Sequence, residues 1–241
     1  MLDQFIQHIF FSIYICKMAI HSDAYKSIFE ELKTHNVALV AVSKTKPIED
    51  INALYLLGQR DFGENYVQEL QDKQKELPQD IRWHFIGHLQ RNKVKRIASF
   101  VHLIHGVDSL RLLIEINKQA ESNNRIIQVL LQLHISQEET KFGLDEVEME
   151  ELFKQLNENS YKNICIRGLM GMASFTENME IVRSEFRFLK SIFDKYATIQ
   201  NTSCNFTFLS MGMSCDYKVA IEEGSNLVRI GSLLFGERIS N

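Results

Sequence analysis

The run Val37-Ala38-Leu39-Val40-Ala41-Val42-Ser43-Lys44, followed by Thr45-Lys46-Pro47, decides how the rest of this chain is read. An unbroken Val/Ala/Leu stretch of strand length, bounded by a proline, reads as a strand buried on both faces, as in a parallel sheet. Such strands deliver functional side chains from their carboxyl ends, and a lysine stands at this one. Partial burial lowers an amine's pKa, and the neutral amine can form a Schiff base with a carbonyl. Lys46 is the neighbouring candidate, but Pro47 suits the first position of the helix Pro47-Ile48-Glu49-Asp50-Ile51, which leaves Lys46 in a loop or cap. The alternative for Lys44 is a side chain that runs along the strand end and keeps its charge in water.

Outward from that strand, helix and strand patterns alternate. Before it, Tyr25, Ile28, Phe29 and Leu32 fall at helical spacing, with Ser22 as the expected N-cap. After it, the pattern predicts a helix from Pro47 to about Leu57 closed by Gly58, a strand at Arg60–Gly63, and a helix through Val67 and Leu70. Arg82–Ile86 reads as a strand, Gln90–Ser99 as a helix, Val101–His105 as a strand, and Asp108 through Ile116 as a helix. Ile126–Ile135 and Ile164–Met170 read as strands separated by a helix from Leu144 to Leu156. The longest helix follows, with Val182, Phe186, Leu189, Phe193 and Tyr196 on one stripe. Phe206–Ser210, a short helix near Asp216–Glu222 and a last strand at Asn226–Ile230 complete the pattern. Strict alternation implies parallel pairing with right-handed crossovers, hence an α/β fold. Eight such units close into a single-domain (β/α)8 barrel of the TIM type. A doubly wound open sheet is the competing fold, but no Gly-x-Gly-x-x-Gly turn follows the first strand. The barrel takes up residues 18–241 and leaves no second domain.

A chain of 241 residues that is 45% apolar can bury one substantial core. Its formal charge of −4 argues against a strongly basic nucleic-acid surface, so Arg91-Asn92-Lys93-Val94-Lys95-Arg96 reads as a solvated helix face. Cys16, Cys165, Cys204 and Cys215 are scattered, with neither metal-ligand spacing nor a disulfide framework. They read as reduced thiols of a cytoplasmic protein. The apolar cluster from Phe5 to Ile15 is too short, and too interrupted by Gln7 and His8, to span a bilayer. It also lacks the basic start and cleavage site of a secretory signal. Residues 1–17 therefore read as an extension ahead of a natural start at Met18, the alternative being a surface amphipathic helix.

In a closed barrel the last strand lies beside the first, so the late loops sit next to Lys44. The loop after the seventh strand is Ser210-Met211-Gly212-Met213-Ser214, and after the eighth comes Arg229-Ile230-Gly231-Ser232. Glycines let a backbone approach an anion closely, and these two loops form the usual phosphate site of the fold. Either glycine alone reads as an ordinary turn; joined with Arg229 and Lys44 they read as a phosphate site beside a Schiff-base lysine. That pairing suggests pyridoxal 5'-phosphate.

Seven segments carry a resemblance to a known family: Ala41-Val42-Ser43-Lys44-Thr45-Lys46-Pro47, Phe62-Gly63-Glu64-Asn65-Tyr66-Val67-Gln68-Glu69, Trp83-His84-Phe85-Ile86-Gly87-His88-Leu89-Gln90-Arg91-Asn92-Lys93, Glu139-Thr140-Lys141-Phe142-Gly143, Arg167-Gly168-Leu169-Met170, Leu209-Ser210-Met211-Gly212-Met213-Ser214 and Val228-Arg229-Ile230-Gly231. Together they resemble the pyridoxal-phosphate homeostasis protein family over about residues 22–238; the first seventeen residues have no counterpart in it. The resemblance implies a barrel similar to the N-terminal domain of alanine racemase, with Lys44 as the internal aldimine lysine. It implies that Arg229, Gly231, Ser232 and the loop Ser210, Met211, Gly212, Met213, Ser214 hold the phosphate, and that Asn65 lies against the cofactor ring. His84 faces the same mouth if Arg82, His84 and Ile86 alternate inward, the alternative being a satisfied core histidine. Lys141 is either a second amine near the cofactor or a solvated loop lysine.

Racemisation needs acid–base groups on both faces of the substrate's α-carbon, and in two-domain racemases a second domain from a partner subunit completes that arrangement. The expectation is therefore a monomeric carrier of pyridoxal phosphate that serves apo-enzymes dependent on it, with no membrane partner. An amino-acid racemase is the alternative, and a phosphosugar enzyme would leave Lys44 unexplained.

Overall fold

The computed structural model describes residues 20–138, 141–158, 161–199 and 203–237. The expectations for residues 1–17, for a start at Met18 and for Glu139-Thr140 lie outside the described residues. In chain order the first half comprises α1 (Ser22–Thr34), β1 (Ala38–Val42), α2 (Ile48–Leu56), β2 (Asp61–Glu64), α3 (Val67–Glu76), β3 (Arg82–Phe85), a 3-10 turn (Arg91–Arg96), β4 (Leu103–Val107) and α4 (Leu110–Ser122). The second half comprises β5 (Ile127–Leu133), α5 (Glu146–Glu158), β6 (Ile164–Gly171), α6 (Met179–Ala197), β7 (Cys204–Ser210), α7 (Tyr217–Glu222), β8 (Leu227–Ile230) and α8 (Ser232–Phe235). The eight strands close into a parallel barrel in sequence order, with β8 paired back on β1 through Ala38–Leu227 and Val40–Arg229.

The apolar residues form two layers. The larger fills the shell between strands and helices, where Phe62, Trp83, Phe85, Ile104, Leu113 and Phe186 are buried. The smaller lies inside the barrel: Val40, Leu103, Leu130, Met170 and Leu227, with Phe208 and Met172 against it. Burying one such side chain stabilises by about 1.5–3 kcal/mol, so the outer shell supplies most of the stability and the interior is free to carry polar groups. Strand alternation decides which they are. Because Leu103, Phe208 and Leu227 point inward, so do His105, Ser210 and Arg229, two residues further toward the carboxyl ends. Trp83 and Phe85 belong to the outer shell, which turns His84 inward.

The sequence pattern differs from the structure at four places. Gln90–Ser99 is not a regular helix but the short 3-10 turn Arg91–Arg96, within which Val94 is the single buried residue; the buried Ile97 and Ala98 lie beyond its end. The fourth strand runs two residues later than expected, because buried His105 lies within it and does not end it. Phe29 is 39% exposed, while Tyr25, Ile28 and Leu32 form the buried stripe of α1. His21, not Ser22, occupies the N-cap of that helix.

Candidate functional site

Lys44 lies two residues beyond β1, in a turn clamped from both sides. Ser43 donates its N–H to the Gly63 carbonyl at 3.0 Å and its hydroxyl to Glu64 Oε1 at 2.6 Å. Its carbonyl accepts from Lys73 Nζ at 2.8 Å. On the other side, the Thr45 N–H donates to Glu69 Oε1 at 2.6 Å. Lys73 joins the two halves, donating to Glu64 Oε1 at 2.8 Å and Glu69 Oε1 at 2.6 Å. Thr45 sits at φ 62, a region disfavoured for a β-branched residue; the clamp is what holds it there. Burial pushes the Glu64 carboxyl up to about 7, against the opposing influence of Lys73 and Ser43.

The other lysines near the mouth are engaged by protein groups. Lys46 Nζ donates to the carbonyls of Phe235, Gly236 and Glu237 at 2.8, 3.2 and 3.3 Å, closing the end of α8. Lys141 Nζ donates to Glu138 Oε1 at 2.9 Å and the Ala173 carbonyl at 2.7 Å.

Arg229 forms the floor of the mouth. Its guanidinium, 4% exposed, donates to the Ser210 carbonyl and hydroxyl at 2.9 and 2.6 Å and to the Gly171 carbonyl at 3.1 Å. Among the described residues no carboxylate hydrogen-bonds it. Burial lowers its pKa to about 10, and the charge of Asp216 only partly offsets this. Below Arg229, Ser210 Oγ lies 3.1 Å from His105 Nδ1, and His105 Nε2 lies 2.9 Å from His84 Nδ1. His84 Nε2 reaches Asp61 Oδ1 at 3.0 Å, at the opposite end of the barrel. His84 thus points inward, as alternation predicts, but both its nitrogens are spent on protein groups.

The loops after β7 and β8 meet at the rim. The Gly231 N–H donates to Ser214 Oγ at 3.3 Å, and Ser232 beside it is exposed. Gly212 has φ +95, and a Cβ there would lie 2.6 Å from Ala220 Cβ, so the loop folds onto α7 only as glycine. The Met211 side chain is fully buried in the outer shell, which leaves only its main chain for a ligand. Asn65 follows β2; its Oδ1 is buried without a hydrogen-bond partner, an uncommon state that a ligand would relieve. Gly87 permits its position, since a Cβ at residue 87 would lie 2.6 Å from the Asn65 carbonyl oxygen.

The sequence pattern assigns no role to the clamp residues Glu64, Glu69 and Lys73 or to the interior residues Asp61 and His105. Glu64 and Glu69 stand inside a segment of the family resemblance, but nothing local marks Lys73 as buried. Asp61, His84 and His102 each bring a ligand atom within 4.8 Å of the others. Arg82 already takes both oxygens of Asp61 at 2.6 and 2.5 Å, so we assign no metal there.

A closed parallel barrel with a lysine beyond its first strand and a glycine-rich rim after its last two defines a racemase-type barrel, and residues 20–239 match the alanine racemase N-terminal domain family. A pyridoxal phosphate homeostasis protein of Aquifex aeolicus is 44% identical over 201 residues, covering 83% of this chain and 86% of that one. The chain therefore belongs to the alanine racemase N-terminal domain family and, within it, to the pyridoxal phosphate homeostasis proteins. PipY of Synechococcus elongatus, solved without pyridoxal phosphate, is 34% identical with a TM-score of 0.82 over 89% of this chain and 99% of that one. Solved with pyridoxal phosphate bound, it gives a TM-score of 0.76 over 83% and 93%. An alanine racemase of Streptomyces coelicolor shares the fold at 16% identity and a TM-score of 0.64, over 84% of this chain and 55% of that one. Among the described residues no helix is long and apolar enough to cross a membrane.

Proposed function

We propose that this chain binds pyridoxal 5'-phosphate at the carboxyl end of the barrel and keeps it available to apo-enzymes in the cytoplasm. The observation that carries the reading is Arg229: a buried cation that no carboxylate hydrogen-bonds among the described residues, beneath a turn that presents an amine. A charge withdrawn from water is costly unless compensated, and a ligand with a phosphate and a basic ring atom supplies what the interior lacks. When bound, the cofactor contributes an aldehyde and a phosphate.

Lys44 would hold the cofactor through its amine, the group an aldehyde takes up. Ser214, Gly231, Ser232 and the main chain of Met211, Gly212 and Met213 form the phosphate cradle. Asn65 lies against the ring, where its unpartnered Oδ1 gains a neighbour. Arg229 reaches across toward β6 and β7 and not to the rim, which favours a role beneath the ring over one on the phosphate. The Aquifex aeolicus relative, which covers 83% of this chain, is named for homeostasis, which favours a carrier over a racemase.

Borohydride reduction of the loaded protein, followed by peptide mapping, should place the cofactor on Lys44; a label on Lys46 or Lys141 overturns the assignment. Lys44→Ala should abolish the linkage and retain weaker binding through the phosphate. Arg229→Ala should weaken pyridoxal and pyridoxal phosphate alike, by about tenfold or more for a charge-assisted contact; a loss confined to the phosphorylated form would move Arg229 to the phosphate. Turnover of an amino acid on the order of 1 per second, lost in Lys44→Ala, would replace the carrier with a racemase-type enzyme.

A further inference from the structure

The polar residues inside the barrel form one unbroken chain from its amino end to the cofactor floor: Asp61, His84, His105, Ser210 and Arg229. Successive contacts measure 3.0, 2.9, 3.1 and 2.6 Å. With both imidazoles neutral, a single arrangement of protons satisfies every link. Arg82 and His84 overcome the effect of burial and hold the Asp61 carboxyl well below the usual carboxylate range, so Asp61 can only accept. His84 must then carry its proton on Nε2, which leaves Nδ1 as an acceptor. His105 consequently donates from Nε2 and accepts on Nδ1, and the Ser210 hydroxyl supplies that proton. Ser210 Oγ is left with lone pairs alone, and these receive Arg229.

We propose that Asp61, His84 and His105 are positioning residues that fix the donor direction of Arg229 from the far end of the barrel. Every hydrogen bond in the chain runs the same way, from the guanidinium toward the carboxylate. Moving the His105 proton to Nδ1 would leave its Nε2 and His84 Nδ1, two bare nitrogens, facing each other across 2.9 Å in a buried space. The charged and titratable groups around the chain are consistent with one polarity. His102, from the segment before β4, packs its ring 5.3 Å from that of His84, and burial and the neighbouring His84 keep His102 neutral down to about 4. Burial, with the charge of Arg229 beside it, holds His105 well below its ordinary value. Arg82 sits outside, on Asp61. The chain thus spans the distance between a cation and an anion with two imidazole rings, and the anion at its far end sets the direction of both.

The part of the inference that concerns the cofactor rests on the proposed binding mode; the part that concerns the protons does not, and two measurements separate them. First, nitrogen-15 NMR of the protein labelled in histidine, without cofactor and near neutral pH, should show His84 and His105 both protonated on Nε2 alone, with assignment from His84→Gln and His105→Gln. A proton on His105 Nδ1, or a doubly protonated His84, overturns the proposal. Second, Asp61→Asn removes the charge while preserving shape. It should leave borohydride labelling of Lys44 intact but shift the visible absorption of the loaded protein and weaken retention by about 2- to 30-fold, the span of effects transmitted along such networks. Asp80→Asn, which disturbs another ion pair at the same end, should change neither. An unchanged spectrum and affinity in Asp61→Asn, with the predicted tautomers present, would also overturn the positioning role. If the wild type failed to label at Lys44, the binding mode would fall while the tautomers still decided the chain.

Discussion

The two ends of the barrel treat polar groups in opposite ways. At the amino end, Asp61 receives Arg82 through both oxygens and His84 through one. Gln59 donates to the carbonyls of Leu39 and Asp61 at 2.9 and 2.7 Å. Arg60 reaches Asp80 at 2.8 Å and stacks over Tyr55 at 3.9 Å. At the carboxyl end, by contrast, lie all the buried side-chain oxygens that lack a partner among the described residues: Glu64 Oε2, Asn65 Oδ1 and Ser136 Oγ, at or just beyond the ends of β2 and β5. The same end holds the positive φ of Thr45 and the guanidinium without a carboxylate. One end has satisfied its own polar groups; the other leaves buried oxygens without a partner among the described residues. That asymmetry favours the carboxyl end as the working face without any reference to conserved positions.

The largest test of this contrast removes one cation from each end. Lys73→Met strands two carboxylates, one of them fully buried, and should cost about 3–5 kcal/mol in urea unfolding. Arg82→Met acts on a pair whose arginine side chain is 49% exposed and should cost about 0.2–1 kcal/mol. Equal losses would dissolve the distinction. Next in size, Gly87→Ala should cost about 1–3 kcal/mol through overpacking, and it should also reduce cofactor retention by displacing Asn65; a stability loss with unchanged retention would detach Asn65 from the site.

The two regions should also titrate in opposite senses. His102 is held neutral down to about 4 and His105 is likewise held well below its ordinary value, so between about 6.5 and 4 the unfolded chain binds more protons than the folded one. Stability therefore falls as pH drops through that window. His102→Gln should shallow that acid limb, measured as urea midpoints at several pH values. Glu64 is the reverse: with its carboxyl raised to about 7, the folded state holds the extra proton. Its contribution is present below the ordinary carboxylate range and is lost as pH rises toward 7. Glu64→Gln should flatten that loss; an unchanged slope would place the Glu64 proton elsewhere. The smallest effect is expected at Lys93, exposed on the 3-10 turn, where Lys93→Ala should change stability by less than about 0.5 kcal/mol.

Much of this was legible in the chain. The alternation of apolar runs with helical stripes announces eight parallel units, and the Val37–Lys44 run announces the first strand beside the last. Strand ends were less legible where a polar residue faces inward, as at His105, because a buried histidine reads locally as a strand terminus. The clamp was invisible for a different reason. Lys73 lies on α3 among exposed charges, and its burial follows from where the helix docks, not from its neighbours in sequence. Arg229 was visible as a cation at a strand end, but its direction was not, since alternation had first to be anchored by Leu227 in the interior layer.

The split between an apolar shell and a polar interior has a consequence for how the strands find their partners. Side chains alternate with a period of two, so a slip of one residue exchanges the two faces of a strand. A slipped β8 would turn Val228 and Ile230 inward and drive Arg229 among the helices, where no carbonyl ladder awaits it; a slipped β4 or β7 would do the same to His105 or Ser210. In an all-apolar barrel such errors would cost little more than imperfect packing. Here each misalignment buries a severed hydrogen bond, so the polar residues inside the barrel also proofread the pairing of the sheet.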